Sequence, residues 1–335
     1  MKLQDFTYEL PEELIAQEPL KVRDQARLMV IERKTGTISH DTFSNIGKYL
    51  PPKAALVVND SKVIPARLLG HRATGGKVEI FLLKQLSDGY SFEALIRPLK
   101  RLRVDERINF NGGKVYAELK DPLKKIVRFN KKNIIRELNR IGHIPLPPYI
   151  KRADVPSDRT YYQTVYAKNA GSVASPTAGL HFTNPLLARI KKAGHKVHKV
   201  TLHINYATFK MVEEEDITRH KMHEEEYSIS QSSMKALQNG RQAGCPVVCV
   251  GTTSCRVLES AARTGELKGV TAIFLYPGAE FKMVDALITN FHLPQSTLLM
   301  LVYACGGVEL MRRAYKEAIA RKYRFYSYGD GMVIL

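Results

Sequence analysis

The segment CPVVCVGTTSCRVLESAA, Cys245 to Ala262, concentrates residue types that can hold an anion. An apolar run from Val247 to Val250 stops at Gly251; Thr252, Thr253 and Ser254 follow, and a helical pattern begins near Arg256. A strand, a tight turn and a helix N-terminus in that order present unpaired backbone N–H groups and the positive end of a helix dipole, a seat for a carboxylate or a phosphate. Neighbouring hydroxyls and a guanidinium add strong donors. The Gly-x-x-x-x-Gly-Lys spacing of a P-loop is absent. The plainer reading of the same residues is a well-capped helix.

Imidazoles are the natural carriers of protons. His181, in PTAGLHF, stands just before a helix that begins near Asn184, in an apolar setting that equally suits a structural histidine. In RHKMHEEEY, helical spacing would put His220 and His223 on one face, with Glu224 adjacent. No His-Glu-x-x-His pattern occurs, so a metal site is not expected; the pair could touch substrate, move protons or simply face solvent. Tyr276 to Gly278 closes a strand predicted over TAIFLYPG, and Asn290, His292 and Ser296 lie between a strand and the apolar helix STLLMLV. In open α/β sheets ligands bind outside the carboxyl ends of strands. The loops at Thr252–Arg256, Tyr276–Gly278 and Asn290–His292 therefore predict one pocket, with ordinary turn chemistry as the alternative.

These loops need a layered scaffold. From residue 151 onward strands alternate with helices: LLARIKKAG, HKVHKVTLHI, SSMKALQNGRQAG, VVCVG, SCRVLESAA, TAIFLYPG, and two closing helices. That alternation predicts an α/β sheet. Residues 1–60 contribute a short helix in ELPEELIAQEPL, a hairpin turning at Lys34-Thr35-Gly36, and the strand AALVVND. Between them, residues 61–150 hold short β runs (KVEIFLLKQL, YSFEALIRPL, RINF, KVYAEL, KIVRF) separated by Gly-Gly, Asp-Gly and Asn-Gly turns, which predicts a small barrel. The expected fold is thus a layered α/β main domain (1–60 and 151–335) with an inserted β-barrel domain (61–150), and HIPLPPYIKR as a rigid connector.

Charge is distributed unevenly. The 335 residues carry a net charge of +18, and the barrel block alone has 19 Lys+Arg against 8 Asp+Glu, a net of +11. Such a surplus points to a polyanionic partner. Arg97, Lys100, Arg101, Lys151 and Arg152, with Phe92 and Tyr149 nearby, suit a phosphate backbone and unstacked bases, although a basic run is also an ordinary solvated face. There is no apolar run of spanning length and no signal-peptide layout, so no membrane role is expected. Cys245, Cys249, Cys255 and Cys305 form no C-x-x-C pair and read as thiols in a reducing cytoplasm.

Taken in order, VASPTAGLHF, RHKMHEEEY, VGTTSCRVLESAA, IFLYPG, ALITNFHLPQSTLLMLV and YRFYSYGDGM resemble the S-adenosylmethionine:tRNA ribosyltransferase-isomerases of queuosine biosynthesis. ELIAQEPL, VVNDSKVIPARLLG, RPLKRL and IGHIPLPPYIKR extend the resemblance over essentially the whole chain. It implies a cytoplasmic transferase that moves and isomerises the ribosyl part of S-adenosylmethionine onto 7-aminomethyl-7-deazaguanine at the wobble position of tRNAs with a GUN anticodon. The products would be epoxyqueuosine-tRNA, adenine and methionine. S-adenosylmethionine is consumed as a substrate; no metal or other cofactor is implied, and a monomer is expected.

Reasoned from that substrate, His181, His220, His223 and His292 are the candidates for acid and base, with Glu259 and Asp285 as carboxylate candidates. Thr252, Thr253, Ser254 and Arg256 suit the methionine carboxylate or a phosphate. Tyr276 and Gly278 complete the substrate pocket, and Asn290 could read adenine or the deazaguanine edge. The chain departs from the family at HINYATF, where Asn205, Tyr206 and Ala207 replace a Gly-containing HVGLGTF, predicting a differently shaped loop. A non-catalytic RNA-binding protein and a tRNA methyltransferase are the competing readings; the latter lacks its Gly-rich loop after the first strand.

Overall fold

The computed structural model describes residues 1–209 and 211–335. The strands are, in chain order, β1 (Arg27–Glu32), β2 (Thr37–Thr42), β3 (Ala55–Asn59), β4 (Ser61–Val63), β5 (Arg67–Arg72) and β6 (Lys77–Gln85). Next come β7 (Ser91–Arg97), β8 (Arg107–Phe110), β9 (Val115–Asp121), β10 (Ile126–Phe129), β11 (Gly142–His143) and β12 (Asn169–Ser172). The last six are β13 (Lys196–Leu202), β14 (Glu225–Ile229), β15 (Val247–Val250), β16 (Lys268–Thr271), β17 (Ala286–Asn290) and β18 (Gly331–Ile334). Helices are α1 (Ile135–Ile141), α2 (Asp158–Tyr161), α3 (Asn184–Lys192), α4 (Gln231–Gln242), α5 (Thr252–Thr264), α6 (Thr297–Gly306) and α7 (Val308–Ala320).

Nine strands form the main sheet in the order β16-β14-β13-β3-β15-β17-β18-β1-β2. Strands β13, β3, β15 and β17 run parallel, so Leu202, Asn59, Val250 and Asn290 all end at one edge. β3, β15 and β17 are buried at every position, as unbroken apolar runs must be when both faces are covered. Side chains alternate between two cores. Leu287 packs with Val57 and Cys249 under α4–α7, whereas Ile288 packs with Leu56 and Val248 under α3. Ser230, Thr183 and Ser296 cap α4, α3 and α6 by accepting backbone N–H groups at 3.1–3.2 Å.

The barrel is closed. Strands β5-β6-β7-β10-β9-β8 pair in sequence, and β5 pairs again with β8, which leaves no free edge; β11 adds to β5. Gly70 permits the closure, because a Cβ there would stand 2.5 Å from the Phe110 ring. β4, at the start of the inserted segment, pairs in parallel with β12, which lies beyond its end.

Three local expectations fail. ELPEELIAQEPL forms only a 3-10 turn, Glu12–Leu14, because Pro11 and Pro19 bracket it and Ile15 instead bridges to Phe325. TAIFLYPG is not a strand: β16 ends at Thr271, and Ile273–Gly278 runs irregularly with its apolar side chains packed on the main core. Residues 220–224 are not helical either.

Candidate active site

The turn after β15 works as a tight strand-to-helix reversal. Gly251 takes φ +87°, a conformation costly for other residues, and α5 starts at the next residue. Ser254 Oγ donates back to the Val250 carbonyl at 2.8 Å, and Asn59 Nδ2 donates to Thr253 Oγ1 at 3.2 Å. Thr253 then faces a cavity of about 60 Å³ at the carboxyl edge of the sheet, together with Ser175, Asn290, His292 and Tyr326. Asn290 lies 3.1 Å from His181 Nε2 through its Nδ2. Its Oδ1 is buried without a partner, and so is Ser175 Oγ. Such orphaned atoms cost free energy unless something supplies a partner.

His292 bonds Thr289 Oγ1 at 2.7 Å, and its backbone N–H donates to the Tyr315 hydroxyl at 3.0 Å. Burial pushes its imidazole down to about 3, and burial with the Arg324 and Arg23 charges does the same to His181. Both rings are neutral near pH 7 and offer hydrogen bonds rather than an acidic proton. His181 stacks near Phe43, behind Asn290.

A second cavity of about 300 Å³ lies beneath the segment Met211–His223. Thr208 and Leu298 line both cavities, so the two are neighbours that share these side chains. Arg256 and Glu225, 4% and 5% exposed, form an ion pair in its floor. Glu225 also accepts the Asn205 N–H at 2.9 Å. His220 and His223 line the same cavity; His220 bonds Glu214 at 3.1 Å and packs on Phe274, which in turn packs on Tyr276.

The family described as "Queuosine biosynthesis protein" matches residues 3–334. Over the full length of both chains, this one is 48% identical to the S-adenosylmethionine:tRNA ribosyltransferase-isomerase of Thermoanaerobacter sp. strain X514. The chain belongs to this enzyme family. It is also 47% identical to the protein of that name from Clostridioides difficile, again with complete coverage of both. A crystal structure of the S-adenosylmethionine tRNA ribosyltransferase from Thermotoga maritima matches with a TM-score of 0.57 and 37% identity, covering 99% of this chain and 100% of that one.

Not every residue expected of a ribosyltransferase-isomerase site reaches these cavities. Glu259 is fully buried and accepts backbone N–H groups from Lys282, Met283 and Val284, plus the Arg263 guanidinium. Asp285 precedes β17 at the opposite sheet edge, where it accepts the Val247 N–H at 2.8 Å. Thr252 and Ser254 are buried in the first turn of α5 outside both cavities. Tyr276 and Gly278 follow no strand; they form a turn that supports Phe274 beneath His220.

The basic residues divide in the same way. Arg97, Lys100 and Arg101 stand exposed at the end of β7 and in the turn after it. Lys151 pairs with Glu12, and Arg152 holds the buried Asp158 through two bonds of 2.7 and 2.9 Å. That pair keeps the Asp158 carboxyl below its usual range against the opposing effect of burial. Of the departing residues, Tyr206 packs its ring 5.0 Å from Phe81 of the barrel; the side chain of Ala207 lies outside the described residues.

Sequence reasoning missed Glu225, Ser175 and Tyr326. A signal existed for Glu225. Tyr227 and Ile229 must point inward from β14, so period-2 alternation turns Glu225 inward and Glu226 outward. Among the described residues no group of three or more His, Cys, Asp or Glu could hold a metal ion, and no helix is long and apolar enough to cross a membrane.

Proposed function

We propose that this enzyme transfers and isomerises the ribosyl part of S-adenosylmethionine onto 7-aminomethyl-7-deazaguanine at the wobble position of tRNAs with a GUN anticodon. Epoxyqueuosine-tRNA, adenine and methionine are the products. One observation carries the reading: two neighbouring cavities at the carboxyl edge of the sheet, each lined by a buried side chain with a polar atom that lacks a partner. Together they reach the lower end of the small-molecule range, roughly 300–1,000 Å³. The donor spans both. A cytoplasmic setting follows from the tRNA acceptor.

The sulfonium acidifies the ribose C5′ hydrogens, so a positioned base removes one, and an acid eases departure of adenine. The glycosidic C–N bond, the C5′–S bond, one C5′–H bond and the ribose-ring C–O bond break; a C–N bond to the acceptor amine, a ring-closing C–C bond and the epoxide C–O bond form. Of the two protons lost, from C5′ and from the neutral amine, one goes to adenine and one is released. Nothing is oxidised overall, so the donor is consumed as a substrate and the balance calls for no further cofactor. His220 and His223 line the larger cavity and take the proton-transfer roles. Asn290 and His292, with neutral hydrogen-bonding groups, position the substrate.

Asn290→Ala is expected to lower kcat/KM for adenine release roughly 100-fold, the order seen on removing one positioned polar group. The assay uses labelled S-adenosylmethionine and tRNA carrying the deazaguanine precursor. Near-normal turnover would take Asn290 out of the site. Methyl transfer by the unaltered enzyme would overturn the reaction class, and binding without turnover would favour an RNA-binding protein.

Arg97, Lys100 and Arg101 are proposed to contact tRNA phosphates. Replacing all three by Gln should flatten the log–log salt dependence of tRNA binding by roughly 2–3, while Arg152→Gln, whose charge is spent on Asp158, leaves the slope unchanged. Equal slopes for the triple variant and the unaltered enzyme would remove these contacts.

A further inference from the structure

Arg256 uses only part of its guanidinium. Nη1 pairs with Glu225, whereas Nε and Nη2 have no partner. Those two atoms form one edge of the planar group, and their parallel N–H bonds match the two oxygens of a carboxylate. A side chain 4% exposed cannot satisfy them with bulk water. The same residue lines the cavity of about 300 Å³, where the wall also carries the carboxylates Glu213 and Glu214, the cations Arg219 and Lys221, and the apolar side chains of Met211, Met222 and Leu298.

Resting on the proposed reaction, we infer that this cavity holds the amino-acid end of S-adenosylmethionine, with its carboxylate on the Nε–Nη2 edge of Arg256. The anion seat suggested by the α5 turn is thus an arginine edge, not the row of hydroxyls. A carboxylate and a phosphate share this chemistry, but two features favour the former. The arginine is buried, out of reach of a polymer backbone, and although the wall also carries Arg219 and Lys221, its carboxylates Glu213 and Glu214 give the α-ammonium of an amino acid a partner that a phosphodiester has no group to use. The apolar side chains suit the methylenes and the S-methyl group. Glu225 acts as the positioning residue that fixes the guanidinium plane.

The test compares S-adenosylmethionine with its decarboxylated analogue by calorimetry on the unaltered enzyme, so it does not depend on any variant folding. The analogue should bind roughly 100-fold more weakly, as expected for losing a buried, two-point charged contact. In Arg256→Lys, which keeps the charge but not the edge, S-adenosylmethionine should weaken toward the analogue while the analogue changes little. Equal binding of the two ligands to the unaltered enzyme would overturn the inference. So would an Arg256→Lys enzyme whose tRNA affinity falls while donor affinity holds, which would make the seat a phosphate site. If the unaltered enzyme binds the donor yet never releases adenine, the proposed reaction fails instead.

Discussion

Replacing Glu259 by alanine is expected to remove about 3–5 kcal/mol of folding stability, the range for taking one partner from a buried ionic cluster. Its carboxylate accepts backbone N–H groups from Lys282 at 2.9 Å, Met283 at 2.8 Å and Val284 at 3.1 Å, and pairs with Arg263 one turn along α5. The segment it grips has no ladder partner of its own before β17 begins. Glu259 thus does for this loop what a neighbouring strand does elsewhere. Alanine leaves three backbone donors without an acceptor, each carrying its full desolvation cost, and leaves the Arg263 guanidinium only the Glu259 and Glu280 carbonyls. Glu259→Gln should fall between the two, since an amide still accepts but brings its own donors to a crowded site. Urea unfolding of the three proteins measures this; a midpoint for Glu259→Ala matching the parent would show that the loop is held some other way.

Acidification is expected to destabilise the fold by about 4 kcal/mol at pH 5 relative to pH 7.5. Burial keeps His181 and His292 uncharged down to about 3, whereas both titrate near 6.5 once the chain unfolds. Below pH 6.5 the unfolded chain therefore binds two protons that the folded chain refuses. The stabilisation is complete above that pH and is lost steadily as the pH falls toward about 3, by roughly 1.4 kcal/mol per unit for each ring. His292→Gln should halve the slope. Stability that is level between pH 7.5 and 5 would mean that both rings take up protons in the folded enzyme as readily as in the unfolded chain.

Much of this scaffold can be read from residue order. β3, β15 and β17 are legible because strands covered on both faces become unbroken apolar runs, and α3, α4 and α6 because hydroxyl caps precede them. The barrel strands β6 to β10 announce themselves through their turns. Pairing across distance is harder to see. Glu225 and Glu259 both sit in chemistry-rich stretches, yet only the fold places one at a cavity and the other under a loop. Asp285 stands next to the strand that carries Asn290, but at its other end, a distinction that depends on strand direction in the sheet. The cations Lys151 and Arg152 look free in sequence; their partners, Glu12 and Asp158, are brought by tertiary contacts. Where Phe274 and Tyr276 suggested a strand, the side chains were apolar enough but no neighbouring backbone was available to pair with them.

The position of β18 imposes an order on synthesis. This strand lies between β17 and β1, so the main sheet stays in two pieces, β16 through β17 and the β1–β2 hairpin, until residues 331–334 leave the ribosome. Every strand of the barrel, by contrast, lies between residues 67 and 143 and can close while the second half of the chain is still being translated. A nascent chain of this enzyme would therefore carry a finished, basic barrel ahead of an unfinished catalytic sheet, with the apolar edges of β1 and β17 waiting for one late strand.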